Sequence, residues 1–86
     1  MRIASNNSNR PFLLDGADYH LASIAVDANG GTATLQKLVG RDPDNDTWVD
    51  VEDGAFAADG EKTFYAPKGQ YFRVTITGSA VAFVTG

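Results

Sequence analysis

No cysteine occurs among the 86 residues, which removes a disulfide framework, a thiolate metal site and a cysteine nucleophile together. Histidine is almost as scarce. His20 stands alone on a segment of strand character, with no second histidine and no acidic residue at ligand spacing, whereas metal centres and triads need several convergent groups. It reads as a strand histidine, and no catalytic, cofactor or metal residue is assigned. Apolar runs are only a few residues long, against the roughly 20 needed to cross a bilayer, so no membrane partner is expected. Met1 to Arg10 also lacks the apolar stretch of a secretory signal. Cations are few: Lys and Arg number 7 against 11 Asp and Glu, for a formal charge of −4 and a pI near 4.6. Duplex binding depends on cations displacing counterions, so nucleic acid is not an expected partner.

A chain this short makes one domain, burying ~60–65% of the surface that its unfolded form exposes. With no disulfide to reinforce so small a core, oligomerisation is the remaining common way to bury more area, and a homo-oligomer is expected.

What the chain does have is period-two alternation interrupted by turn chemistry. Gly78-Ser79 has the signature of a type II′ turn, which would pair Ile76 with Val81 and Val74 with Phe83. Pro67-Lys68-Gly69 fits a three-residue loop, pairing Phe64 with Phe72 and Tyr65 with Tyr71. Lys62 to Thr85 therefore predicts a three-stranded meander with Phe64, Phe72, Val74, Ile76, Val81 and Phe83 on one face. Tyr65, Tyr71, Arg73, Thr75 and Thr77 take the other. Asn29-Gly30 is a type I′ signal that predicts a hairpin of Tyr19 to Val26 with Thr32 to Val39, aligning Val26 with Ala33 and Ile24 with Leu35. Short strands are also expected at Pro11 to Leu14 and at Thr47 to Val51, with Phe56 plugging the core.

No stretch shows helical periodicity. The expected fold is all-β: a single small β-sandwich, jelly-roll-like or immunoglobulin-like, of about seven antiparallel strands, with one apolar sheet from each half of the chain. The Asn/Ser-rich segment 1–10 is expected to be a flexible arm that orders on a partner, ahead of a domain over 11–86.

Two local patterns suggest sites. Asp42, Asp44 and Asp46 alternate, and Asp53 would be the twelfth position of a calcium loop begun at Asp42. However, Thr47 stands where that loop needs glycine, and Pro43 stiffens it, so a solvated acidic turn is the simpler reading. Asn45-Asp46-Thr47-Trp48 is similar to a structural Asp-box hairpin, with Pro43 where that motif places its Asp. Trp48 is then an anchor whose indole N–H seeks an acceptor.

Tyr65, Tyr71 and Arg73, on the face opposite the core, are residue types favoured at interface centres. With Ser5, Asn7 and Arg10 of the arm they form the expected contact surface.

The runs Ala33-Thr34-Leu35-Gln36, Thr47-Trp48-Val49-Asp50-Val51, Ala58-Asp59-Gly60 and Pro67-Lys68-Gly69-Gln70-Tyr71-Phe72-Arg73-Val74, followed by Thr77-Gly78-Ser79, resemble small virion-associated β-sandwich proteins of tailed bacteriophages. The resemblance spans Leu21 to Thr85. It implies a non-enzymatic capsid decoration or cement subunit, assembled in the bacterial host cytoplasm and bound on the outer capsid surface to the major capsid protein or other virion subunits. The family supplies no catalytic residues. From a different class comes the alternative of a carbohydrate- or receptor-binding module of a fibre or secreted protein, with exposed aromatics stacking on sugar rings.

Overall fold

In the computed structural model, residues 1–14, 19–41 and 46–86 are described. Eight strands follow in chain order: β1 (Arg2–Ile3), β2 (Phe12–Leu13), β3 (Tyr19–Asp27), β4 (Thr32–Arg41), β5 (Asp46–Phe56), β6 (Gly60–Pro67), β7 (Tyr71–Thr77) and β8 (Val81–Thr85), with a short 3-10 helix at Ser5–Asn7. They form two antiparallel four-stranded sheets, ordered β1-β8-β3-β6 and β2-β7-β4-β5. Successive strands alternate between the sheets; only β4 and β5 are consecutive neighbours in one sheet. This order is that of a jelly roll. An immunoglobulin arrangement would place its first two strands in the same sheet.

Alternation sorts the side chains as a sandwich requires. Phe72, Val74 and Ile76 of β7 face inward against Leu35 and Ala33 of β4, while Ile24, Val26, Phe64, Ala82 and Val84 come from the opposite sheet. The inner face of that second sheet is rich in small residues, with Ala22, Ala66 and Ala82 all buried. The large rings can therefore interdigitate with them without overpacking. No polar or charged side chain is buried among the described residues, so the core incurs no desolvation cost for polar side chains.

Several expectations need correction. The meander over Lys62 to Thr85 is not formed, because β7 lies in one sheet and β6 and β8 in the other. Phe64 and Phe72 meet across the interior, edge to face with centroids 5.2 Å apart, and not as neighbours on adjoining strands. The phase of β8 is also shifted by one residue from that expected. Ala82 and Val84 are buried, whereas Phe83 is 46% exposed, because β8 takes its register from β3, pairing Val26 with Ala82 and Ala25 with Phe83.

The Asn29-Gly30 turn has the conformation its sequence demands, with φ of 45° and 83° and the Gly31 N–H donating to the Ala28 carbonyl at 2.7 Å. Yet it carries the chain from one sheet to the other. Ile24, Val26, Ala33 and Leu35 do all point into the core, but from opposite walls. The two sheets are accordingly interleaved along the chain and not contributed one by each half.

Segment 1–10 is not a free arm. Ile3 is buried, β1 pairs with β8, and the Val84 N–H donates to the Met1 carbonyl at 2.8 Å. Farther along, the Asn9 N–H donates to the Val74 carbonyl at 2.9 Å, and the Ile76 N–H donates to Ser8 Oγ at 2.8 Å. The segment thus spans the sandwich and covers the open edge of one strand in each sheet, where unpaired backbone groups would otherwise invite foreign strands. Its polar composition, read as a sign of disorder, serves these hydrogen bonds. Phe56, by contrast, packs against the core from the end of β5, as expected.

Candidate functional site

On the outer face of β2-β7-β4-β5, register alignment brings together residues far apart in sequence. Arg73 of β7 lies beside Gln36 of β4, which in turn lies beside Asp50 of β5. The Arg73 Nε–H donates to Gln36 Oε1 at 2.7 Å, and Gln36 Nε2 donates to Asp50 Oδ1 at 2.8 Å. The glutamine relays a cation to an anion across three strands, and both partners fix the orientation of its amide. The guanidinium carbon sits 4.5 Å from the centroid of the Trp48 ring, a cation–π distance. Two residues along, Leu38 pairs with Trp48 in the β4–β5 register.

Next to this array a shallow groove of about 310 Å³ is lined by Leu38, Val39, Gly40, Gly69 and Tyr71. Gln70 shapes it, its Nε2 donating to the Leu38 carbonyl at 2.8 Å and to the Tyr71 carbonyl at 2.9 Å. Those bonds tie the β6–β7 connection to the bulged end of β4, where the register shifts between Leu38 and Gly40. A second bulge in β5 turns at Asp53, with φ of 56°, and at buried Gly54, where a side chain would meet the Val51 carbonyl at 2.8 Å. These bulges re-aim the strands at the rim of the face.

Tyr71 and Arg73 lie on one outer face, as the alternation predicts. Tyr65 does not join them, because β6 belongs to the other sheet, where Tyr65 is aligned with Leu21; the expected Tyr65–Tyr71 cross-strand pair is corrected accordingly. Asn7 is engaged within its own segment, accepting from the Ala4 N–H and donating to the Arg2 carbonyl at 3.0 Å. Ser5 and Arg10 are exposed. Asp42 and Asp44 lie outside the described residues, as does the side chain of His20. Among the described residues, no group of three His, Asp or Glu is placed to hold a metal ion, and no helix is long and apolar enough to cross a membrane.

Sequence reasoning missed Gln36 and Asp50 as partners of Arg73, and assigned Trp48 to a core or loop anchor. The available signal was phase: Thr34 and Gln36 alternate with Ala33 and Leu35, so Gln36 had to face outward, as Arg73 did. A double-mutant cycle on Arg73→Ala and Trp48→Ala, followed by urea denaturation, should give a coupling of about 0.5–1 kcal/mol. Strict additivity would show that the contact contributes nothing.

No protein-family model, curated protein or solved structure matches the chain.

Proposed function

We propose that the protein is a non-enzymatic structural subunit of a tailed-phage virion, a decoration or cement protein that binds the major capsid protein on the outer head surface. The contact is made by the outer face of β2-β7-β4-β5. The observation that carries this reading is the preset array on that face, Trp48–Arg73–Gln36–Asp50 with Tyr71 at its edge. Held by the glutamine and the indole, Arg73 loses little rotamer freedom when a partner docks, which reduces the entropy cost of association. Arg, Trp and Tyr are also the types most enriched among residues that dominate binding.

The resemblance supports the same face. Three of the phage-like runs, 33–36, 47–51 and 67–74, supply Gln36, Trp48, Asp50, Tyr71 and Arg73. Net negative charge suits an outer position better than one against packaged DNA. The sugar-binding alternative is less well served, because the guanidinium lies over the indole ring where a sugar would stack.

The test is binding of purified protein to particles that lack it. Arg73→Glu, with the fold retained, should weaken occupancy by at least about tenfold, and Tyr71→Ala should weaken it while the fold is retained. Unchanged occupancy in both variants would overturn the assignment of this face.

A further inference from the structure

The other outer face, that of β1-β8-β3-β6, carries large apolar side chains with few charges among them. Leu21 is 64% exposed and Tyr65 and Phe83 are each 46% exposed. Between them lie Ala25, Ser23, Thr63 and Thr85, the last bonded to Ser23 through their hydroxyl oxygens at 2.8 Å. One row crosses all four strands in the order Arg2, Phe83, Ala25, Glu61. A cation stands at one end and an anion at the other, with a large ring beside a small methyl in the middle. Among the described residues neither Arg2 nor Glu61 makes an ion pair, and Asp27, a further charge on this face, sits at the last position of β3.

We propose that two copies of the chain associate back to back through this face, related by a two-fold axis that lies in the interface and runs along the strands between β8 and β3. Such an axis preserves position along a strand and reverses the order of strands across the sheet. It places Arg2 of one copy opposite Glu61 of the other at both ends of the row. Phe83 of each copy then meets Ala25 of its mate, ring against methyl, and Thr85 meets Ser23. Self-complementarity of this kind is what an isologous contact requires. The apolar centre supplies the affinity, while the end charges fix alignment and disfavour a half-turn misdocking that would set like charges together.

Four strands at ~4.8 Å spacing give a face about 19 Å wide, so the contact falls at or below the ~800 Å² per partner of a standard interface. A contact of that size belongs to the weak, transient class, so the dimer should dissociate reversibly in the micromolar range. This inference does not need the virion reading, because the two faces belong to opposite sheets and are tested by different variants.

Sedimentation equilibrium from about 1 µM to about 1 mM covers that range and should show wild-type protein passing from monomer to dimer. Phe83→Asp should raise the dissociation constant at least tenfold. Arg2→Glu and Glu61→Arg should each weaken self-association, since each variant then meets its own like charges at both ends. Mixed one to one, those two variants should form a heterodimer about as tight as the wild-type dimer, with opposite charges restored at both ends. The mixture gives an independent readout should Phe83→Asp fail to fold. Wild-type protein that stays monomeric throughout, a Phe83→Asp variant that dimerises like wild type, or a mixture no tighter than its components would each overturn the proposal. Arg73→Glu should leave the dimer intact.

Discussion

Replacing Gly31 with alanine should lower the melting temperature by roughly 15 °C, a loss of about 3 kcal/mol from overpacking. A domain of this length is stable by only about 4–13 kcal/mol, so the variant would lie near the edge of folding. The cause is the close approach of two neighbouring connections. Gly31 is buried, and a methyl group added there would collide with the Thr77 carbonyl oxygen and lie 3.0 Å from the Ala80 nitrogen. Both are backbone atoms, which cannot swing aside as the tip of a long side chain could. From the other side, a side chain on Gly78, with φ of +61°, would come within 3.2 Å of Gly31 Cα. The chain passages at Asn29-Gly30 and Gly78-Ser79 thus press on one another where each leaves its sheet. Gly30 is the internal control: its φ is +83° but nothing lies within 4 Å, so Gly30→Ala should cost only about 1–2 kcal/mol of backbone strain. Thermal melts by circular dichroism would separate the two. A Gly31→Ala protein melting within a few degrees of wild type would refute that close approach.

Phe72→Ala should be more damaging still, at about 3–5 kcal/mol. Phe72 is 2% exposed and its ring contacts both walls of the sandwich. Phe64 of β6 stands edge-on to it with centroids 5.2 Å apart, and Phe12 of β2 lies at 6.3 Å with ring planes inclined by 29°. Truncation would leave a cavity that backbone on both sides prevents from collapsing. Loss of a cooperative transition, or aggregation on expression, is the expected result. Phe83→Ala provides the contrast, because its ring points outward and its removal should change monomer stability by less than about 0.5 kcal/mol. A meander would have placed both rings in the same core, so equal costs for the two substitutions would favour that arrangement over the jelly roll.

Those two phenylalanines also show where the sequence was legible. Along β7, alternation of Phe72, Val74 and Ile76 with Tyr71, Arg73 and Thr75 admits one phase, and that phase is found. Along β8 the run Val81-Ala82-Phe83-Val84 is apolar in both phases, so the choice fell to the turn before it. Turn chemistry sets local backbone dihedrals and says nothing of which sheet the next strand enters. Asn29-Gly30 illustrates this directly: the positive φ values its residues favour are present, yet the strands it joins do not pair. The N-terminal segment was misread for a related reason, since Ser8 and Asn9 bond to strand edges whose positions depend on the tertiary fold.

At the candidate site, outward phase alone identified Tyr71 and Arg73. Gln36, Trp48 and Asp50 join them only through the pairing of β4 with β7 and β5, and no spacing within the chain encodes that pairing. Tyr65 was grouped with Tyr71 by the pairing assigned to the Pro67-Lys68-Gly69 loop, just as the pairing assigned to Gly78-Ser79 misplaced β8. The cross-strand neighbour of Tyr65 is Leu21, and both lie on the second outer face, which also carries the Phe83 row farther along the strands.

A subunit bound repeatedly over a shell must be present in numbers that follow the lattice. Quantitative mass spectrometry of purified particles, with the major capsid protein as the internal standard, measures this most directly. The expected result is a copy number in fixed stoichiometry with the shell subunit and of the same order. Absence from the particle, or a few copies against a full complement of shell protein, would contradict it.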